Sequence, residues 1–411
     1  MPTETPEKRQ VLQAIRDLGR RVTVADVATK TGLPLHVVTS QLNAVAAETG
    51  GHLEVGTAGD IAYGFAPGFQ SVYLAQGIQR TLQLIWEKTF QIGYYLLRIS
   101  FGIMLILSVL LVIALILVVI LGRGRDGDRD GDRGFDLSFF DYMILRDLFW
   151  WGVYSTYPED TYYGRSTRRR KSNGNFLLNC FSFLFGDGNP NAHLEEKQWQ
   201  LIAQAIKGHN GVITAEQLAP YTGSDPKNED GVLPVLVRFD GRPEVTETGN
   251  IVYTFPSLQV SAAEAHGYQL PVFLEEWPWK FTEAPADSLV PVYILAGVNF
   301  FGSWWLFFHA AAVLLLTGLF PLILLLVTYG TLFVGIPLVR WLVLQWLNGR
   351  IESRNQRRQS YARLLDTPSA DLRLKLEEAQ AYKVKEQLIE QEKIVYTTEK
   401  DALEQEFDNP R

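Results

Sequence analysis

Two long runs of the chain hold no Lys, Arg, Asp or Glu, residues 99–122 and 288–339, and polar stretches of helical or strand periodicity surround them. The first run has 24 residues dominated by Ile, Leu and Val, enough at about 1.5 Å per residue to cross a ~30 Å hydrocarbon layer once. The second, with 52, is too long for one passage and carries breaking residues at Thr317, Gly318 and Pro321. It predicts a hairpin of two spans, roughly 290–315 and 320–347. Trp341 and Trp346 fall near the end of the last span, and Arg350, Arg354, Arg357 and Arg358 follow, which predicts a tail facing the cytoplasm or stroma. The N-terminus is polar and mixed in charge, without a cleavable signal pattern, so the first span is expected to direct its own insertion.

Outside these runs the pattern repeats. VLQAIRDLGRRVTVADVATKTGLP from Val11 aligns with LIAQAIKGHNGVITAEQLAPYTGSD from Leu201, pairing Ile15 with Ile206, Val27 with Leu218, Ala28 with Ala219 and Gly32 with Gly223. HLEVGTAGDIAYGF then matches RPEVTETGNIVYTF, pairing Glu54 with Glu244, Val55 with Val245, Gly59 with Gly249, Ile61 with Ile251, Tyr63 with Tyr253 and Phe65 with Phe255. Each copy reads as three helices followed by a β-hairpin turning at Ala58-Gly59-Asp60 or Thr248-Gly249-Asn250. That is the order of a winged helix; an unrelated small α+β domain with a hairpin is the alternative.

A winged helix that reads DNA needs a basic third helix. The third helix of copy one, about Leu35 to Glu48, has no Lys or Arg, and the equivalent stretch of copy two runs through Asp225, Glu229 and Asp230 and is interrupted by Pro234. Residues 1–70 hold 6 basic and 7 acidic side chains, and residues 194–258 hold 5 and 9. Both copies are therefore read as protein-binding modules, with no nucleic-acid partner. The net charge of −7 adds no general attraction to nucleic acid or anionic lipid.

The expected organisation is α+β: an integral membrane protein with about three transmembrane helices and two duplicated winged-helix-like domains. The segments are a first module (1–70), an amphipathic helix (71–98), a first span (99–122), a charged and aromatic linker with interfacial segments (123–192), a second module (193–260), a linker (261–287), a transmembrane hairpin (288–347) and a charged helical tail (348–411). The amphipathic stretch either runs into the first span as one helix or lies in the interface. Three crossings put the modules on opposite faces of the bilayer. They would share a face if the first span were re-entrant, or if the aromatic stretch near Trp150 returned the chain despite Asp141, Arg146 and Asp147, each costing about 2.5–3.5 kcal/mol at mid-membrane.

Candidate chemistry is sparse. Asp126, Asp128, Asp130 and Gly131 match positions 1, 3, 5 and 6 of a calcium loop, but Leu137 stands where Glu belongs and arginines alternate with the aspartates, so a charge-balanced linker is the better reading. Arg168, Arg169, Arg170 and Lys171 form a basic cluster suited to anionic lipid headgroups, or a solvated loop. His309 is the one ionisable group inside the apolar spans. The single cysteine, Cys180, excludes an intramolecular disulfide and an all-cysteine zinc or iron–sulphur site within this chain. No HExxH, Walker, GxGxxG or GxSxG motif is present, and neither enzyme activity nor a bound cofactor is expected.

The runs FSFLFGDGNPN (181–191), LPVLVRFDGRPEV (233–245), GNIVYTFPSLQ (249–259), IPLVRW (336–341) and KIVYTTEKDALEQE (393–406) resemble a family of membrane proteins shared by cyanobacteria and plant chloroplasts. The resemblance covers most of the chain from about residue 70 onward. Plant members carry the label "iron-sulphur cluster biosynthesis family protein", which implies a role in cofactor assembly. The family also implies a photosynthetic membrane: thylakoid or envelope in a plant, thylakoid or plasma membrane in a cyanobacterium. It offers no established activity or site residues to carry over. The expected function is a non-enzymatic, membrane-anchored adaptor or assembly factor that binds membrane lipids and protein partners, in photosystem or iron–sulphur protein biogenesis. The alternative is a small transporter or channel component, resting on His309 and the uncharged hairpin.

Overall fold

The computed structural model describes residues 5–67, 78–123, 176–228, 231–262, 270–383, 387–389 and 394–398. In chain order its helices are α1 (Pro6–Leu18), α2 (Val24–Thr31), α3 (Leu35–Thr49), α4 (Ile78–Arg123), α5 (Phe176–Phe185), α6 (Leu194–Gly208), α7 (Ala215–Thr222), α8 (Leu233–Phe239), α9 (Ala286–Leu316), α10 (Phe320–Asp366) and α11 (Ala370–Ala379). The strands are β1 (Arg21–Thr23), β2 (His52–Gly56), β3 (Ile61–Gly64), β4 (Val212–Ile213), β5 (Arg242–Val245), β6 (Ile251–Thr254), β7 (Val260–Ser261), β8 (Gln387–Leu388) and β9 (Ile394–Thr397). They form two compact units, one from Met1–Arg80, Asn191–Trp277 and Arg350–Arg411, the other from Thr81–Pro190 and Pro278–Gly349.

In the first unit two stretches share one order: helix, short strand, helix, helix, hairpin. Local chemistry sets the same boundaries in both. Thr23 Oγ1 accepts the Asp26 N–H (3.1 Å) while the Asp26 carboxylate accepts the Thr23 N–H (3.2 Å), and Thr214 and Gln217 exchange the same pair at 3.4 and 3.0 Å. Such a reciprocal cap satisfies two otherwise orphaned donors at each helix start. Both second helices stop at a glycine in the left-handed region, Gly32 (φ 73°) and Gly223 (φ 74°), where a side chain would be strained. The hairpins turn in matching register, Val55 opposite Ile61 and Val245 opposite Ile251. Strand orders are β1-β3-β2-β9 and β4-β6-β5.

Both stretches bury their apolar faces in a single core. Val11, Ile15, Val38 and Leu42 lie in the same cluster as Ile202, Ile206, Leu218, Phe239 and Phe255. A bilayer cannot run through a continuous core, so the expectation of modules on opposite faces is corrected: they pack together. Modules this small are marginal alone, and pairing buries further apolar surface. Polar contacts fix the pairing. Lys207, 4% exposed, reaches Asp26 at 3.0 Å and Ser261 Oγ at 2.6 Å, and Thr23 Oγ1 donates to the Val260 carbonyl at 2.8 Å.

Two further expectations change. Pro234 does not interrupt the third helix of copy two but starts it, at a position where its missing N–H costs nothing. The tail is helical only in part: α10 ends at Asp366, before Pro368, α11 follows, and the β-branched and aromatic run Ile394–Thr397 is a strand paired to β2.

The second unit contains α4 from Thr81 onward, α5, α9 and α10 as far as Gly349. Among the described residues three helices are long and apolar enough to cross a membrane: Thr89–Ile120, Ala286–Ala312 and Phe320–Asp366. The amphipathic stretch from Ile78 is continuous with the first of these as α4. Small residues sit where helices approach closely, Gly302 beside Val112, Gly330 beside Ser303 and Phe300, and Gly102 beside Leu177 of α5. Between α9 and α10, Gly318 (φ 73°) reverses the chain, with Leu319 N–H donating to the Leu314 carbonyl at 2.8 Å. The short helix α5 is buried through Phe176, Cys180, Phe183 and Leu184. Its C-terminal end meets cations, as the helix dipole favours. Arg340 donates to the carbonyls of Ser182 (3.3 Å), Phe183 (3.2 Å) and Phe281, while Arg98 lies over Phe181 and pairs with Asp187 at 3.4 Å.

Candidate protein-binding groove

The third helices of the two modules come together in the first unit. Arg238 of α8 donates from Nε to the Gly32 carbonyl at 2.7 Å, and its guanidinium lies 4.3 Å from the Trp199 ring centroid. Burial pulls the pKa of this guanidinium down, and the nearby Glu195 charge opposes that. A Cβ on Gly32 would stand 2.6–2.8 Å from backbone of Trp199 and Gln200, so only glycine permits this approach.

The result is an open groove of about 430 Å³ lined by Val24, Leu35, His36 and Thr39 from copy one and Val237, Arg238, Asp240 and Ser257 from copy two. Beside it α8 exposes Leu233 (61%) and Val237 (75%). Val24, Leu35 and Val237 give it apolar surface, and Asp240, His36, Thr39 and Ser257 add a carboxylate, an imidazole and hydroxyls. That composition suits a polypeptide side chain better than a phosphate: α3 carries no Lys or Arg, and Arg238, the one cation on α8, is already engaged by Gly32 and Trp199.

The residues singled out from sequence lie elsewhere. His309, on α9, is exposed, with Nδ1 3.0 Å from the Trp305 carbonyl and its ring stacked on Trp305 at 5.0 Å. Asp126, Asp128 and Asp130, and Arg168, Arg169, Arg170 and Lys171, lie outside the described residues. Among the described residues no group of three His, Cys, Asp or Glu side chains gathers as a metal site. Sequence reasoning missed Asn299, fully buried on α9 with its amide unpartnered among the described residues. It also missed Glu276, clamped by Arg354 and Arg358. An uncharged asparagine inside an apolar run was the available signal for the first; nothing local marked the second.

No family model and no solved structure matches the chain. It is 35% identical over 435 residues, 99% of this chain and 81% of the relative, to "Uncharacterized protein At5g03900, chloroplastic" of Arabidopsis thaliana.

Proposed function

The chain belongs to the family of this chloroplastic plant protein, and from that premise we propose that it is a non-enzymatic, membrane-anchored adaptor or assembly factor of a photosynthetic membrane. The two modules are a duplicated winged-helix-like pair turned from nucleic acid to polypeptide. The observation that carries this reading is the groove of mixed apolar and polar lining built jointly by α3 and α8, where the one cation on either helix is consumed internally. Iron–sulphur or photosystem biogenesis fits as the handling of client proteins, since Cys180 is buried and alone.

Membrane integration is supported by the exterior of the second unit, which exposes Leu107, Leu111, Phe301, Phe308, Leu324 and Leu325. The core shared by the two modules supports placing both on one face of the bilayer. α4 takes the chain across, and α9 with α10 is a return pair. The ten residues of α5 span about 15 Å, half a hydrocarbon core. Both modules and the tail then share the cytoplasmic or stromal face indicated by the arginines after Trp346.

Tagged full-length chain, solubilised from its own membranes, tests the adaptor reading. Photosystem or assembly proteins should co-purify with the native chain and be lost from Val237→Asp at equal chain recovery. Recovery of a lone homo-oligomer that supports solute flux in liposomes would instead favour transport.

A further inference from the structure

We propose that the outer edge of β2 is an acceptor site for an extended polypeptide segment of a partner protein, and that the chain's own strand β9 occupies it as a displaceable plug. The two modules provide an internal comparison. Leu53 stands opposite Tyr63 in copy one, and Pro243 stands opposite Tyr253 in copy two. Leu53 turns both of its peptide groups outward: its N–H donates to Thr398 Oγ1 at 2.8 Å and its carbonyl accepts the Thr398 N–H at 3.0 Å. Pro243 has no N–H to offer, and the tail's Tyr382 hydroxyl donates to the Val245 carbonyl at 3.3 Å. One edge is open to strands and the other is closed.

β9 is an imperfect occupant of the open edge. Its register slips between Val55 and Gly56, the Leu53 N–H meets a side-chain hydroxyl in place of a backbone carbonyl, and Tyr396 is 49% exposed. Burial of Tyr396 therefore adds little, and tethering adds much: Ile389, just before this strand, is buried against Gly56, and β8 pairs in parallel with β7. A partner segment in regular register, uncharged and β-branched or aromatic like Ile394-Val395-Tyr396-Thr397, gains a backbone bond that β9 does not make. This surface is separate from the α3/α8 groove, and Val237→Asp leaves it unchanged.

The test uses a fluorescent peptide of residues 392–400 and the chain in detergent. A chain ending at Ile389 should bind the peptide at least about tenfold more tightly than the full chain, whose tethered strand competes at roughly millimolar effective concentration. Leu53→Pro in the shortened chain should abolish binding. A full-length Val55→Cys/Tyr396→Cys chain, its cysteines placed at directly opposed positions, should refuse the peptide when oxidised and recover native binding when reduced. Equal affinity of shortened and full chains, undiminished binding to Leu53→Pro, or binding to the oxidised lock would overturn the proposal.

Discussion

Replacing Glu276 should destabilise the first unit far more than replacing Arg354, the exposed arm of the same ion cluster. The carboxylate is 5% exposed and is held by Arg354 through Nε (2.9 and 3.0 Å) and Nη2 (2.6 Å), and by Arg358 through Nη1 (2.6 Å). Arg358 is itself only 9% exposed, so Glu276→Ala strands a buried guanidinium, a loss of about 3–5 kcal/mol when one partner of a buried pair is removed. Arg354 is 46% exposed, and its own removal should cost about 1 kcal/mol or less. At roughly 2–4 °C per kcal/mol for a unit of this size, Glu276→Ala should lower Tm by at least about 6 °C and Arg354→Ala by no more than about 4 °C. Thermal unfolding in detergent, followed by near-ultraviolet circular dichroism, reads both. Equal shifts would refute the assignment of the energy to the Arg358 arm. Burial alone would raise the Glu276 pKa, but the hydrogen bonds from the two arginines outweigh it and hold the group below its ordinary value. The folded state thus prefers the ionised carboxylate. Its contribution is complete above the ordinary carboxylate pKa and is lost as pH falls through the lowered folded value. Glu276→Gln should therefore flatten the acid limb of stability against pH.

Protease protection of tags at both ends and at residue 130 should report the two ends on one face and the middle tag on the other; ends on opposite faces would refute a shared face for the two modules. Gly32→Ala should lower stability by about 3 kcal/mol, combining a left-handed backbone with overlap on the Trp199 and Gln200 backbone. Gly223→Ala, where the nearest atom is Arg358 Nε at 3.1 Å, should cost about half as much in the same melting assay. Lys207→Ala leaves Asp26 without its cation in the core between the modules, and a loss of about 3–5 kcal/mol is expected, measured as a lowered urea midpoint.

Three asparagines illustrate what pattern reading cannot reach. Asn355 takes the N–H and carbonyl of Glu276 at 3.0 and 2.8 Å, and Asn191 takes those of Trp277 at 2.9 and 2.8 Å, each acting as a neighbouring strand would. Asn348, within the second unit, does the same for Trp279 at 2.8 and 2.9 Å. In sequence they are polar residues in polar surroundings. Their partners are up to 86 positions away, and no local periodicity encodes that distance.

Local order was legible because its causes are local. Apolar length announced three helices able to span a membrane, Gly32 and Gly223 marked helix ends through a backbone conformation that only glycine adopts freely, and the matched hairpins followed from alternation around Gly59 and Gly249. Tertiary structure decided that the modules share one core, that α3 and α8 line one groove, and that β9 pairs with β2 and not with β5. Those outcomes depend on surface complementarity and on single backbone donors, such as the N–H that Leu53 has and Pro243 lacks, whose meaning appears only once distant segments lie side by side.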